Sequence, residues 1–504
     1  MKIAGLDIGT TGCKLTVFSD RGKYLEQAYQ AYPVTRGGSR HEVDAVNIME
    51  GVWTVIRAMA EKYPDIMGIG VTSFGETFVF TDKEGKPLHR AMLYTDSRGA
   101  EECRELALKL GDKKIASITG NRPHEMYSIS KMMWMKKNRP EIYREASHVF
   151  LMEDFVVFHL TGKARIDYSL AARTMAFDIA ALEWSREIFE AADIDIDLMS
   201  EVVPSGTPAG RILPESARMT GLSQETKIIC VSHDQVAAAA GAGVFDSETA
   251  VDGAGTVECI TPVYDSIPSM DVMYQGYFSV VPYVLPGKYV CYAFSYTGGA
   301  LIQWCTDTLA KKEKELAVRE NISVNKYLER EYNKNCGQEE GRKPSGLLVL
   351  PHFAGAATPY MDTGSKGAVI GLTAAHTVSD IYRACMEGVV YEMLLNMERL
   401  KESGVHFKRL HATGGGAKSE VWMQMKADVL NVPLTALRTA DAGTVGSAML
   451  TGIAAGCFEN LADAAGHMVE ERKVYMPDRD MHEKYMEIYG RYRKVYEAVR
   501  PLVS

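Results

Sequence analysis

The residues best suited to chemistry sit in short turns rich in glycine and threonine. Near the N-terminus, Asp7-Ile8-Gly9-Thr10-Thr11-Gly12-Cys13-Lys14 combines close-approach glycines, backbone N–H groups, two hydroxyls and an ammonium, a set that suits phosphate oxygens. Asp7 adds a carboxylate able to hold a hydrated Mg2+. A tight hairpin is the competing reading, because Gly and Thr are routine turn formers. A second turn of the same kind, Gly253-Ala254-Gly255-Thr256, strengthens the phosphate reading. The run Thr413-Gly414-Gly415-Gly416-Ala417-Lys418-Ser419 offers a surface without side chains on which an adenine or ribose could lie; a flexible connection would look the same. Asp234, in Ser232-His233-Asp234-Gln235, falls where a buried strand ends and a small-residue helix begins. A carboxylate there stays ionised, and it can take the proton of a hydroxyl as that oxygen attacks phosphorus. A helix-capping aspartate is the commoner alternative. Glu76 and Asp96 are further carboxylates that could accept hydrogen bonds from vicinal sugar hydroxyls. For Asp96, capping a helix over 100–109 is the more ordinary reading.

Such groups need rigid elements behind them. Apolar patterning predicts a hairpin over 2–19, a turn at 20–23, another strand, a helix around 46–62 and a strand at 66–73. Strand, loop and helix recur over 227–243 and 405–430, with Ser419 as an N-cap. Met132-Met133-Trp134-Met135 reads as helix core, and His233 and the other histidines show no ligand spacing. The segment from Ile3 to Leu15 echoes that from Ala250 to Ile260: apolar strand, acid, Gly/Thr turn, apolar strand. The echo predicts two like-folded halves, residues 1–245 and 246–504, with a ligand cleft between them. A polar stretch over 311–344 reads as helix plus surface excursion, and the tail over 478–503 as helical.

Composition narrows the classes. A chain of 504 residues makes about three domains, or two large α/β units. Its 56 Lys and Arg against 65 Asp and Glu leave a net charge of −9, and no long basic run marks a nucleic acid or anionic lipid surface. Nine cysteines, scattered and without a C-x-x-C pair, imply neither a disulfide framework nor a zinc knuckle, so a reducing compartment is expected. No apolar run of signal-peptide or membrane-span length develops, and a cytoplasmic protein without membrane partners is expected. P-loop, dinucleotide-binding, zincin and protein-kinase signatures are all absent.

Taken together, the turn at Asp7–Lys14, the acid at 234, the second Gly/Thr turn and the Gly414 triplet resemble the FGGY family of carbohydrate kinases. Residues Met126 to Asn138, with Lys131 and Trp134 three apart, fit the first signature of that family. Gly367 to Leu372, Asp380-Ile381 and Ala384-Cys385-Met386-Glu387 follow its second, with Cys385 a slight departure. Pro359-Tyr360-Met361-Asp362 and Thr297-Gly298-Gly299-Ala300 extend the match over nearly the whole chain. The resemblance implies an α/β protein of two ribonuclease-H-like domains, of the actin and hexokinase superfamily, closing over ATP, Mg2+ and a sugar or polyol. By analogy, Asp234 looks like the general base and Asp7 like the metal-side carboxylate. Thr10, Thr11 and Lys14 look like the first phosphate turn, and Gly255 and Thr256 like the second. Gly414, Gly415, Gly416 and Lys418 look like the adenosine platform, with Gly298 and Gly299 on the nucleotide side.

The resemblance also bears on the acceptor. Members acting on xylulose carry Met-His where this chain has Gly75-Glu76, whereas glycerol kinases carry Arg-Glu-Thr, so Glu76-Thr77 and Asp234-Gln235 look glycerol-like. Gly75 and Met126 replace the arginine and tyrosine that enclose glycerol, which implies a larger substrate. Leu93 to Arg98, including Asp96, and Thr413 to Pro433 look like xylulose kinases, and a ketopentose is the expected acceptor. Another polyol, gluconate, or a non-catalytic sugar sensor on the same scaffold is the alternative, and a homodimer is a family-level expectation.

Overall fold

The computed structural model describes residues 1–38, 40–336, 343–439 and 441–503. The N-terminal hairpin is β1 (Lys2–Ile8) and β2 (Gly12–Ser19), antiparallel with Asp7 opposite Lys14. β3 (Tyr24–Ala31) extends it at the edge. The Asp44 carboxylate caps α1 (Ala45–Lys62) by accepting from the Val46 N–H, and α1 buries Ile48, Val52, Val55, Ile56 and Met59. It returns the chain to β4 (Ile66–Ser73), parallel to β1. β5 (Thr207–Arg211) and β6 (Lys227–His233) complete a sheet of order β5-β6-β4-β1-β2-β3. β1, β4 and β6 are almost wholly buried, as central strands covered on both faces must be. β6 runs directly into α2 (Asp234–Gly241).

The second half repeats the plan. β7 (Thr249–Ala254) and β8 (Glu258–Tyr264) form an antiparallel hairpin, and β9 (Val280–Pro282) and β10 (Tyr289–Cys291) extend it. Next come α3 (Gly299–Thr308) and the long α4 (Val378–Glu402), with a Thr377–Asp380 capping box. β11 (Arg409–Thr413) lies parallel to β7, followed by α5 (Glu420–Leu430), β12 (Leu434–Leu437), α6 (Ala442–Ala455) and β13 (Glu471–Tyr475). The order is β9-β10-β8-β7-β11-β12-β13, with Ala293–Ser295 also on β8. In both sheets a hairpin strand is flanked by two parallel strands and then an antiparallel edge, so the sequence echo marks a shared topology.

The halves are joined by their helices. α6, though late in the chain, packs on β1 and β4 of the first sheet. A Cβ at Gly5 would fall 2.3 Å from the Thr444 carbonyl oxygen. α2 crosses α6 with the two backbones touching: a Cβ at Gly241 or at Gly446 would fall 1.9 Å from the Ala442 or Ala237 carbonyl oxygen, respectively. A separate five-stranded sheet (Val34–Gly37, Arg40–Val43, Ala91–Met92, Phe78–Thr81, His148–Leu151) stands on the first half, and its connections carry Glu76 and Asp96. The polar stretch holds helices Lys311–Arg319 and Val324–Cys336; its residues 337–342 lie outside those described. The tail is helical, over Arg479–Tyr492 and Val495–Val503. Among the described residues no helix is long and apolar enough to cross a membrane.

Candidate active site

The β1–β2 turn is anchored from below. Gly9 N–H donates to the Gly12 carbonyl at 2.9 Å, and Tyr32 donates through its hydroxyl to the Gly9 carbonyl and through its N–H to Thr11 O at 3.1 Å. Lys14 Nζ lies 3.1 Å from Asp7 Oδ2 and 3.0 Å from Asp441 Oδ1, so acids from both halves grip one ammonium. Gln27 Nε2 donates to the other Asp441 oxygen at 2.7 Å. Burial raises the Asp7 carboxyl while Lys14 opposes the shift, and Asp7 Oδ1 is buried with no hydrogen-bond partner among the described residues. A lone carboxylate oxygen of this kind fits a Mg2+ held mostly by phosphate and water. No cluster of three or more metal-binding side chains occurs among the described residues.

Asp234 is the first residue of α2, whose N-cap is His233, so the capping alternative does not hold. A Cβ at Gly443 would lie 3.6 Å from Asp7 Oδ2 and 4.0 Å from the Asp234 carbonyl oxygen, so the Asp7 carboxylate and the backbone of Asp234 both meet the start of α6. Burial, and next the charge of Asp7, push the Asp234 carboxyl up to about 7, against the Gln235 N–H. The helix N-terminus was expected to keep it ionised; desolvation and a like charge outweigh that terminus. His233 Nε2 is 3.3 Å from Asp234 Oδ1, and its Nδ1 is 3.0 Å from the hydroxyl of Tyr292, a residue of the second half. Burial and the neighbouring Arg173 hold this imidazole neutral.

Glu76 has a left-handed φ of 60°, fixed by a 2.8 Å bond from Ser128 Oγ to its carbonyl and by a Thr77 N–H to Gly75 O turn of 2.7 Å. Its carboxylate is buried, and Arg173 Nε and Nη2 both donate to Oε1, the first at 2.6 Å. Thr77 is fully buried with an unpartnered hydroxyl among the described residues. Burial, and next the charges of Glu76 and Asp234, push the Tyr94 hydroxyl up. Tyr296 is pushed up to about 12 by burial and next by Tyr94 and Tyr127. Asp96 corrects an expectation. Its oxygens accept from His41 N–H at 2.9 Å and from Arg98 N–H, Nε and Nη2 at 3.0, 2.9 and 2.6 Å. Four donors saturate a carboxylate, so Asp96 fixes Arg98 and has no oxygen for a sugar; nor does it cap the helix, whose N-cap is Gly99.

The second turn and the glycine run meet. Gly255 N–H donates to Gly253 O and Val257 O at 3.1 Å. Gly298 and Gly299 N–H groups donate to Thr256 O and Gly255 O at 3.0 and 2.9 Å, which seats the turn on the start of α3. Gly414, at φ 89°, is needed because a Cβ there would sit 2.6 Å from the Ala254 carbonyl oxygen. Lys426, from α5, is buried between Asp252, at 2.7 Å, and Glu258, and so ties the two strands of the hairpin together beside its turn. Ser419 caps α5 as expected, by accepting from Trp422 N–H at 3.2 Å. Lys418 and Thr11 are exposed.

Arg173, His233, Tyr292 and Asp441 had no role in the sequence reading. The one local signal for Arg173 was a lone arginine inside Leu170-Ala171-Ala172-Arg173-Thr174, a run otherwise free of charge.

Residues 2–241 match the N-terminal domain of the FGGY family of carbohydrate kinases, and residues 255–455 its C-terminal domain. A xylulose kinase of Bacillus subtilis is 27% identical over 99% of this chain and 97% of its own. A glycerol kinase of Halorhodospira halophila is 29% identical over 96% and 93%. The crystal structure of a xylulose kinase from Rhodospirillum rubrum superposes with a TM-score of 0.88, covering 100% of both chains at 22% identity. With its two halves folded alike and family domains matched across both, the chain belongs to the FGGY family of carbohydrate kinases, enzymes that phosphorylate a sugar.

Proposed function

We propose that this protein transfers the γ-phosphoryl group of ATP to a primary hydroxyl of an uncharged ketose, with a ketopentose such as xylulose as the best fit. The observation that carries the reading is Asp234 as the first residue of α2, with His233 Nε2 at 3.3 Å from its carboxylate and its backbone, like the Asp7 carboxylate, beside Gly443. Residues 1–245 then form the domain with the acceptor pocket and the first phosphate turn. Residues 246–504 form the domain with the second turn and the adenosine platform. Thr10, Thr11 and Lys14 bind phosphate oxygens from one side, and Gly255 and Thr256 from the other. Gly298, Gly299, Gly414, Gly415, Gly416 and Lys418 seat the nucleoside.

Asp234 accepts the hydroxyl proton as that oxygen bonds to the γ-phosphorus and the bond to the β-phosphate oxygen breaks, releasing ADP. Mg2+, when bound beside Asp7, supplies charge neutralisation for the phosphates. Glu76, Thr77 and Gln235 orient the acceptor. Arg173 already has Glu76 as its counter-ion and Asp234 adds a negative charge, a setting that favours a neutral acceptor over an aldonate. Relatives named xylulose kinase support the ketopentose. ADP release measured over pentuloses, hexuloses, pentitols, glycerol and gluconate tests the reading. A ketopentose is expected to turn over fastest, and no acceptor-dependent release would make the protein a sensor instead.

A further inference from the structure

Phosphoryl transfer gives the His233 imidazole no part, yet the ring is built firmly into place beside the base. It ends β6 immediately before Asp234, and only 9% of its side chain is exposed. Its backbone N–H donates to Ser169 Oγ at 2.9 Å. The Tyr292 ring packs against it with centroids 5.4 Å apart, and the Gly75 backbone runs along its edge, where a Cβ would come within 3.1 Å of both Cδ2 and Nε2. The two ring nitrogens face different halves of the molecule: Nδ1 meets the hydroxyl of Tyr292 at 3.0 Å, and Nε2 meets Oδ1 of Asp234 at 3.3 Å. The Asp234 side chain, by contrast, keeps 31% of its surface exposed, which leaves it open to an acceptor.

A neutral imidazole has one N–H and one lone pair, and the partner of each nitrogen decides which is which. Burial and Arg173 keep this ring neutral. A proton on Nδ1 would leave the Nε2 lone pair pointing at an ionised carboxylate oxygen, which repels it. A proton on Nε2 lets that nitrogen donate towards Asp234 while the Tyr292 hydroxyl donates to Nδ1, so both contacts are satisfied. A separation of 3.3 Å is loose, of the kind that tightens once the acceptor is bound. A carboxylate held by one oxygen has its rotamer fixed and its second oxygen free. We propose that His233 is a positioning residue, whose Nε2–H holds Oδ1 of Asp234 so that Oδ2 meets the acceptor hydroxyl, and that Tyr292, from the second half, sets the tautomer that makes this possible.

This rests on the reading of Asp234 as the base. The test measures kcat, and KM for ATP and for the acceptor that turns over fastest, in the wild type, His233→Ala, His233→Gln and Tyr292→Phe, and repeats the alanine change in Asp234→Asn. His233→Ala should lower kcat by about 10- to 100-fold and leave both KM values nearly unchanged. His233→Gln returns an amide N–H towards Asp234 and should recover most of that loss. Tyr292→Phe should lower kcat in the same direction by a smaller factor. In Asp234→Asn the alanine change should cost nothing more, because a residue that acts through the carboxylate has nothing left to position. An unchanged kcat in His233→Ala, a loss carried by KM, a glutamine variant no better than alanine, or the same fold loss with and without Asp234 would overturn the assignment. If the alanine variant does not fold, Tyr292→Phe decides, and an unchanged kcat there overturns it. Near-normal turnover of Asp234→Asn alone would instead overturn the reading of the base.

Discussion

Asp234 works under two opposed demands, since it must sit close enough to phosphate to take a proton there and yet be unprotonated beforehand. Burial and Asp7 raise its carboxyl to about 7, so near neutrality the ligand-free protein is divided between the two forms. A base raised in this way is lost as pH falls: kcat/KM for the sugar should level off above about pH 7 and drop about tenfold per unit below it. A pH profile flat down to pH 5 would remove Asp234 from this role. Asp234→Asn should keep sugar and nucleotide binding, measured by calorimetry, and lose several powers of ten in kcat. Asp7, Asp234 and Glu76 were legible as residues because each ends a strand or follows a recognisable turn. Asp96 was not, because its donors come from Arg98, two residues on, and from His41, 55 residues back. Arg173 meets Glu76 across 97 residues, a contact no local pattern encodes.

At the scale of elements, the strands and helices around every motif follow from apolar periodicity and caps, and β4 and β6 fall where the sequence puts them. The packing of α2 on α6 does not follow. Nothing in an Ala/Gly-rich pattern distinguishes a helix that tolerates a methyl group from one lying on another backbone. Gly446→Ala would drive a Cβ to 1.9 Å from Ala237 O, an overpacking cost of about 3 kcal/mol. Gly490→Ala, on the exposed face of the tail helix with nothing near its Cβ, should be neutral or slightly stabilising. Thermal melts of the two variants check the contrast, and equal melting temperatures would contradict the close crossing.

Over the whole molecule, polar ties between the halves are many, among them Lys113 to Asp271, Tyr127 to Ser279 and Ser447 to the Gly70 carbonyl, and some fall at the candidate site. Lys14 meets Asp441, Gln27 meets Asp441 and His233 meets Tyr292, so ligands that compete for these groups act on the relation between the halves. Adding a non-hydrolysable ATP analogue with the preferred sugar should reduce the radius of gyration in small-angle scattering more than either alone. An unchanged radius with both bound would mean that the halves do not close.

The contact of α2 with α6 also decides which atoms travel. A rotation about an axis through that crossing displaces each atom in proportion to its distance from the axis. Asp234 lies one helical turn before Ala237, and Gly443 a similar step before Gly446, so both are close to the fulcrum. Groups farther from that crossing sweep the larger arcs. Wide swings for admitting and releasing ligands are thereby compatible with a nearly stationary carboxylate, and tolerance to motion is greatest where alignment matters least.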